Sequence, residues 1–337
     1  MLEVLDDLPM LRQVIEVVRP LAEQAYRISE FRGWLWLSSA LIAIDLFYRI
    51  ANRPPSESFW SYSAPWRIYS HRSSILDYKF FLIRNFFTTF VIAPLLVSAL
   101  ALGKWGSDVL TAALGPGPGW TAGPAALLLF GAATLVLFDV GHFISHYIEH
   151  KTAFFWEFHK IHHAAEVLTP VTAFRVHPVE TIFDTLLQAP LQALALALFY
   201  YLYGTELSVM TLVWIGSLYP VFYLVNTLRH THVWFSFGPK LEHIFSSPAQ
   251  HQIHHSRAPE HIDTNFSQYF SFLDWMAGTL YIPKQGERTL DFGLTEGPDP
   301  QLSSVRDLYV IPVKRAFRLL RSPEFPRKRL PPIPRPS

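Results

Sequence analysis

Long apolar segments constrain the fold of this chain more than any other feature of its sequence. Five of them are long enough, or almost long enough, to cross a bilayer, at residues 33–48, 86–102, 121–138, 186–204 and 207–225. A segment in the hydrocarbon core must satisfy its own backbone polar groups, which favours helices. The sequence therefore predicts an all-α integral membrane protein with about four to five transmembrane helices. The first segment is short and contains Asp45, so whether it spans fully stays open.

The composition agrees with a membrane protein and excludes several classes of site. Half of the residues are hydrophobic and 16% are charged, whereas about a quarter of an average soluble domain is charged. The net charge of +1 gives no reason to expect a nucleic-acid partner. The chain has no cysteine, which excludes disulfides, thiolate metal sites and a cysteine nucleophile. The acidic N-terminal stretch lacks the basic region of a cleavable signal peptide, so none is expected.

The charges of the links between the apolar segments predict an orientation. Link 51–85 has five Lys and Arg residues against two acidic ones, and link 104–120 is Gly/Pro-rich and almost uncharged. By the positive-inside tendency the first link is cytoplasmic, so the third span delivers residues 139–163 to a cytoplasmic helical cap. We expect an N-terminal amphipathic or soluble segment at 1–32, a membrane-embedded catalytic domain at 33–285, and a polar, Pro-rich tail at 286–337.

Histidines follow the apolar segments in patterns that repeat. The motif H-x-x-H-H occurs twice, as "HKIHH" and "HQIHH", a run of histidines spaced by four precedes the first copy, and "NTLRH" ends the last span; together these supply His142, His146, His150, His159, His162, His163, Asn226, His230, His251, His254 and His255. Residues three and four apart share a helix face, so each motif directs imidazoles toward one point or two neighbouring points. All of these motifs fall on the predicted cytoplasmic side, where they can converge.

Clustered imidazole predicts a metal site. Neutral imidazole is the commonest protein metal ligand and suits Fe, Zn, Cu and Ni. Nine histidines exceed what one tetrahedral zinc ion uses, so the number favours two metal ions. By spacing alone, either His142 with His146 or His146 with His150 could be the H-x-x-x-H pair.

These motifs resemble those of the fatty acid hydroxylase / sterol desaturase superfamily, which comprises integral-membrane, non-haem di-iron oxygenases. The resemblance covers about residues 138–283 and is close to bacterial sterol-desaturase-like members. It includes Asp139 at a span end, both H-x-x-H-H triplets, the pair Asn265 and Phe266, and the stretch "LDWMAGTLYIP" around Asp274. The family places the second histidine of H-x-x-x-H nine residues before the first triplet. This spacing selects His146 and His150 and leaves His142 as surplus.

The resemblance implies a di-iron centre formed by a set of histidine ligands, which are His146, His150, His159, His162, His163, His230, His251, His254 and His255. Further residues are candidates for an additional ligand or for a group that supports a ligand, namely His142, His177, Asn226, His232, Asp139, His261 and Asp263. Carboxylates that could orient the ligands also include Glu149, Glu166 and Glu180.

The function implied by the resemblance is O2-dependent hydroxylation or desaturation of an unactivated C–H bond in a lipid. The cofactors are then two Fe ions, for which zinc could substitute, with O2 as co-substrate. No haem or flavin module is visible, so electrons are expected from an external ferredoxin, cytochrome or reductase. The protein is expected to be multi-pass, in a bacterial inner membrane or in endoplasmic reticulum, with its active site on the cytoplasmic side.

Two other functions compete with this interpretation. A membrane zinc hydrolase using metal-bound water needs fewer histidines and an open three-ligand site. A metal transporter or sensor predicts ionisable residues in mid-span, which segments two to five almost lack. The sequence leaves open the lipid, the choice of hydroxylation or desaturation, and the oligomeric state.

Overall fold

The computed structural model describes residues 34–35, 37–50, 58–204, 226–284 and 287–322, with the backbone alone for 85–98. Its α-helices are α1 (37–50), α2 (Phe59–Ser63), α3 (Trp66–Tyr69), α4 (Arg72–Leu114), α5 (Pro124–Lys151), α6 (Ala153–His163), α7 (Pro178–Tyr203), α8 (Pro248–His254), α9 (Phe272–Ala277) and α10 (Val305–Leu320). Single 3-10 turns lie at Pro170–Phe174, Thr227–His230, Leu241–His243 and Pro259–His261. Within these described ranges the extended structure is one isolated bridge between Ser256 and Phe292.

Two helices, α5 and α7, are long and apolar enough to cross a membrane, with mean hydropathies of 2.0 and 1.5 over their most apolar windows. They contain most of the third and fourth predicted segments. The mostly helical fold is thus confirmed, while the number of spans and the cytoplasmic cap stay predictions. The second predicted segment lies in α4, largely where side chains are not described, and 207–225 lies outside the described residues.

Helix α4 packs closely on α7 because glycines let the two backbones approach. A Cβ atom on Gly103 would lie 2.6 Å from the Cβ of Leu196, and one on Gly106 would lie 2.8 Å from the Cβ of Ala197. Both distances are below van der Waals contact, so any larger residue at either glycine would push the helices apart.

Helix α5 packs on the same helix α7 through an aromatic core and one polar contact. The rings of Phe130 and Phe199 have centroids 4.8 Å apart, and Gln192 Nε2 donates to the carbonyl of Thr134 at 3.0 Å. Close to the end of α5, a Cβ on Gly141 would lie 3.0 Å from the Cγ of Gln188. These contacts fix where the C-terminal turns of α5 lie relative to α7.

The chain turns sharply between α5 and α6 at Thr152. Its extended backbone (φ −122°, ψ 127°) ends α5 and begins α6, and its amide donates to the carbonyl of Ile148 at 2.9 Å. Because α6 reverses direction here, its last two turns lie beside the last two turns of α5. Helix α10 packs on α6, and Leu308 and Ile161 are fully buried there.

Helix α8, which contains the second H-x-x-H-H motif, is fixed at its start and along its length. Ser247 and Gln250 form a reciprocal capping box, with bonds of 3.2 and 3.0 Å. Gln252 Nε2 donates to the carbonyls of Thr231 and Val233 at 3.0 and 2.9 Å. This side chain ties α8 to the segment that follows His230, so the two histidine-bearing segments are held side by side.

Candidate metal centre

Nine buried histidines form two adjoining clusters, at the ends of α5, α6 and α8 and in the 3-10 turn Thr227–His230. Within each cluster the candidate ligand atoms all lie within 4.8 Å of one another. Cluster 1 consists of His146, His150, His159, His163 and His254; cluster 2 consists of His162, His230, His251 and His255. The clusters touch, since the ring centroids of His163 and His255 are 4.6 Å apart.

The two H-x-x-H-H motifs are shared between the clusters in a reciprocal way. The first motif gives its i, i+4 pair, His159 and His163, to cluster 1 and its middle residue to cluster 2. The second motif gives its i, i+4 pair, His251 and His255, to cluster 2 and His254 to cluster 1. Each cluster therefore requires both motifs, and neither assembles from one helix alone.

The spacing of the ring nitrogens fits metal ions. In cluster 1, His159 Nε2 lies 3.2 Å from His146 Nε2 and 3.1 Å from His163 Nε2. In cluster 2, His251 Nε2 lies 3.0 Å from His230 Nε2 and 3.1 Å from His255 Nε2. Two nitrogens bound at right angles to one ion, each about 2.1 Å from it, are about 3.0 Å apart. The ring nitrogens of each cluster thus converge at the spacing expected of ligands around one metal ion.

Two Nε2 atoms of cluster 1 are buried without any partner. His150 Nε2 and His254 Nε2 make no hydrogen bond with the described residues. Buried polar atoms are nearly always paired, so a bound ion accounts for both nitrogens in a way that the protein alone does not. The residues present fit two metal ions.

A short segment, 263–266, orients three histidines of cluster 1. His254 Nδ1 is 2.7 Å from the carbonyl of Thr264, and His146 Nδ1 is 2.8 Å from that of Phe266. His150 Nδ1 is 3.3 Å from Asp263 Oδ1. An acceptor at Nδ1 sets the tautomer that leaves Nε2 free for a metal. Asp263 and Asn265 have φ of 61° and 56°, a left-handed conformation that Asp and Asn tolerate better than most residues.

His159 is oriented by two buried carboxylates. Its Nδ1 lies 2.9 Å from Glu180 Oε1 and 3.5 Å from Glu149 Oε2. Glu180 is in the first turn of α7 and Glu149 is in the last turns of α5, so the ligand is fixed by both candidate spans. A carboxylate at this position also makes the imidazole a stronger donor to a metal.

Burial keeps the histidines outside the spans neutral, as metal ligands must be. Desolvation, followed by the charges of neighbouring imidazoles, lowers the pKa of His163, His254 and His255 well below the ordinary histidine value. Burial lowers the pKa of His162 to about 3. The same direction holds for His159, His230 and His251. Near pH 7 their ring nitrogens are lone-pair donors.

Asp139 and Asp274 anchor the segment 266–270 beside cluster 1, and neither aspartate is a member of a cluster. Asp139 accepts hydrogen bonds from the amides of Gln268, Tyr269 and Phe270 at 2.7, 2.9 and 2.5 Å. Asp274 accepts from the amides of Phe266 and Ser267 at 2.8 and 2.9 Å. These bonds anchor the turn whose carbonyl at Phe266 orients His146.

The remaining predicted residues lie around the clusters. His142, one turn before His146, stacks on Phe138 with ring centroids 6.3 Å apart and faces a cavity. His177 caps α7, accepting from the amide of Val179 at 3.1 Å, and its Nε2 donates to the carbonyl of Tyr309 at 3.0 Å. The structure therefore places neither in a cluster.

Three further candidates also stay outside both clusters. His232 lies against the rings of Tyr62 and Tyr69, 5.4 and 6.5 Å away. His261 packs against Tyr281, and Asn226 is buried beside the cavity. Of the candidate carboxylates, Glu166 pairs with Arg72 at 2.9 Å, away from the histidines.

A cavity of about 470 Å³ adjoins both clusters. Its lining includes His146 and His159 from cluster 1 and His162, His230 and His251 from cluster 2. Helix α7 contributes polar groups to it, among them Asp184 and Gln188. Sequence reasoning did not single out these two residues, although polar residues spaced by four in an apolar span were a visible signal. It also missed the carbonyls of Thr264 and Phe266, because backbone acceptors leave no mark in a sequence.

Comparison with known proteins agrees with this geometry. Residues 131–279 match the fatty acid hydroxylase family. An ornithine lipid hydroxylase of Rhizobium tropici is 32% identical over 162 residues, which are 48% of this chain and 44% of that protein. Alkylglycerol monooxygenases of Xenopus tropicalis and Homo sapiens are each 27% identical over 157 residues, 47% of this chain and 31% of theirs.

The chain spans less than half the length of these relatives. No solved structure matches it. The matched segment contains all nine clustered histidines, and the resemblance read from the sequence is confirmed. Residues 131–279 are thus similar to the fatty acid hydroxylase domain, and the relatives that match this part of the chain are a lipid hydroxylase and monooxygenases.

Proposed function

We propose that this protein is a membrane di-iron oxygenase that hydroxylates an unactivated C–H bond of a lipid. The observation that supports this most is the pair of adjoining clusters, each with four or five buried histidines around one point. Two touching all-histidine sites have more ligands than one zinc ion uses. Imidazole suits iron, and the relatives named above are a hydroxylase and monooxygenases, which favours hydroxylation over desaturation.

The ligands of the proposed centre are the nine histidines of clusters 1 and 2. Two iron ions held there would supply reductive activation of O2 for attack on a C–H bond. One oxygen atom then enters the C–H bond and the other leaves as water, with two electrons and two protons from outside. We assign the two electrons to a separate donor protein, such as a ferredoxin, a cytochrome or a reductase.

The protein's own contribution is the orientation of the ligands and of the substrate. The segment 263–266 and the carboxylates of Glu149 and Glu180 hold the ligand rings, so the shell changes little when the metal changes charge. A substrate bound in the cavity beside both clusters would lie against the ligand histidines. We propose that a lipid enters this cavity from the bilayer, between the spans. We place the histidine-bearing ends of these helices on the cytoplasmic side.

The test begins with metal analysis of protein purified without oxygen. About two irons per chain, together with a new hydroxylated lipid in expressing cells that depends on O2, is the expected result. One zinc ion per chain, with an activity that needs no O2, would contradict the proposal and favour a hydrolase.

A matched pair of variants tests the ligand assignment. His150→Ala removes a member of cluster 1 and is expected to lower iron content and abolish turnover. His142→Ala changes the same residue type two turns earlier, outside both clusters, and is expected to leave iron content almost intact. The opposite pattern would show that the ligand pair is His142 and His146.

A further inference from the structure

Helix α7 has a polar stripe along a span that is otherwise apolar. The stripe consists of Glu180, Asp184, Gln188 and Gln192, each four residues from the next. Residues at this spacing share one helix face, and all four line the cavity beside the histidine clusters. Polar groups within a membrane span are costly and usually serve a function.

The two end members of the stripe have structural partners. Glu180 Oε1 contacts His159 Nδ1 at 2.9 Å, and Gln192 donates to the carbonyl of Thr134 at 3.0 Å. The two middle members, Asp184 and Gln188, contact neither cluster. Both also contact α5, since Asp184 hydrogen-bonds with Ser145 and Glu149 and Gln188 packs against Gly141.

Two carboxyl oxygens of the stripe have no donor. The buried oxygens Glu180 Oε2 and Asp184 Oδ1 accept no hydrogen bond from the described residues. Glu180 is 96% shielded from solvent, and Asp184 has Ser145 and Glu149 as hydrogen-bond partners for the rest of its carboxyl group. Leaving such an oxygen unpaired costs about 1–3 kcal/mol, so a donor from outside the protein would stabilise this part of the cavity.

The charges that line the cavity favour the same chemistry. Three carboxyl groups, those of Glu149, Glu180 and Asp184, face it from α5 and α7. Two guanidinium groups also line it: Arg229 donates through Nη2 to Ser246 and Ser267 at 3.0 and 2.8 Å, while its Nε has no partner among the described residues. The other, Arg84, lies over the ring of Phe174 at 5.6 Å and interacts electrostatically with Glu180. At the stripe itself, a ligand group that donates hydrogen bonds is preferred to a plain hydrocarbon.

We propose that Asp184 and Gln188 bind a hydrogen-bond-donating polar group of the lipid substrate, an ammonium or a hydroxyl. This inference rests on the proposed function and specifies which class of lipid is the substrate. Asp184 lies one helical turn and Gln188 two turns from Glu180, roughly 6 and 12 Å along the axis. A polar group bound at this distance from the ligand His159 presents carbons close to the headgroup to the metal centre. The far end of the hydrocarbon chain then lies outside it.

Binding of three probes to the iron-loaded full chain in lipid nanodiscs, without O2, tests the inference. The probes share one hydrocarbon chain and differ at its end: hexadecylamine, hexadecylglycerol and hexadecane. Asp184→Asn is expected to weaken binding of the amine at least tenfold, and Gln188→Leu to weaken the amine and the glycerol several-fold. Hexadecane binding is expected to change in neither variant.

Leu186→Ala is the matched control, because Leu186 is on the same helix and is 60% exposed on its outer face. Iron content and circular dichroism of each variant check that the fold is kept. The two variants are at separate positions, so one that fails to fold leaves the other to decide. Unchanged binding of the amine and glycerol in a folded variant would overturn the inference, as would loss of iron in both variants.

Turnover separates this inference from the proposed function. If the wild-type protein binds no iron and oxidises no lipid, the proposed function fails. Suppose instead that it oxidises lipids but places the new hydroxyl at the far end of the hydrocarbon chain, and that Asp184→Asn prefers the same lipids as the wild type. Then the polar-group inference alone fails. The expected product has its new hydroxyl close to the amine or glycerol end, as mass spectrometry would show.

Discussion

Removal of the Asp139 carboxylate is expected to destabilise the protein and to loosen cluster 1, although Asp139 is not a ligand. This side chain is fully buried and accepts three amide hydrogen bonds from consecutive residues, at 2.7, 2.9 and 2.5 Å. Four residues before the last of these amides, the carbonyl of Phe266 orients His146 at 2.8 Å. Asp139 thus joins α5 to the turn that positions one of its own histidines.

The size of the effect follows from the number of donors left without a partner. Each buried donor that loses its acceptor costs about 1–3 kcal/mol. With three donors and partial relaxation, Asp139→Ala is expected to cost about 5 kcal/mol. Asp139→Asn keeps one acceptor oxygen and turns an NH2 group toward the amides, so about half of that cost is expected. At about 2 °C per kcal/mol, the alanine variant melts about 10 °C lower.

Thermal unfolding in detergent and iron analysis measure the two effects separately. Asp108→Asn is the control, because Asp108 is exposed and forms only an i, i+4 pair with Lys104 at 3.3 Å, a type of pair that contributes little. The expected order of melting temperature is wild type and Asp108→Asn, then Asp139→Asn, then Asp139→Ala, with iron content falling in the same order. An alanine variant as stable and as iron-rich as the control would refute the reasoning.

The metal, acidity and one buried ion pair give three further predictions. Chelation is expected to lower the melting temperature reversibly, since ligand at a thousand times its Kd contributes about 4 kcal/mol; calorimetry with and without added iron checks this, and an unchanged temperature would contradict a metal site. The metal-free protein is expected to lose stability as pH falls from about 6.5 toward about 3. The reason is that histidines of the unfolded chain protonate near pH 6.5, whereas burial lowers the pKa of His162 in the folded protein to about 3. A denaturant midpoint that does not change with pH in this window would argue against this prediction. Arg175→Leu leaves Asp77, 3.0 Å from Arg175 Nη1, as an uncompensated buried charge, at a cost of about 3–5 kcal/mol; the exposed variant Arg72→Leu is the control in the same unfolding assay, and equal stability would show that the buried pair is dispensable.

The spacing of the histidines was the part of the site that could best be predicted from the sequence. The i, i+3 and i, i+4 spacings require several imidazoles on one helix face, and α6 and α8 are helical where the motifs predicted helices. What spacing could not give is the exchange of His162 and His254 between clusters. That exchange depends on how α6 and α8 cross, which is decided by the turn at Thr152 and by the contacts of Gln252 far along the chain.

The two candidate spans could be predicted only in outline. Hydrophobic runs located α5 and α7, yet α7 begins at Pro178, eight residues before the predicted segment at 186–204. The missing eight residues contain Glu180 and Asp184, whose charges end the apolar run in any hydropathy profile. These carboxylates lie on the side of α7 that faces the cavity, and a composition window does not distinguish the two sides of a helix.

Helix α7 connects the polar stripe to the proposed metal centre. Glu180 begins the polar stripe and contacts His159, so the helix that lines the cavity also orients a histidine of cluster 1. If a lipid binds along the stripe, as we propose, a displacement of α7 would therefore change the orientation of His159 through one hydrogen bond of 2.9 Å. The proposed substrate site and the proposed ligand are thus linked by a single helix.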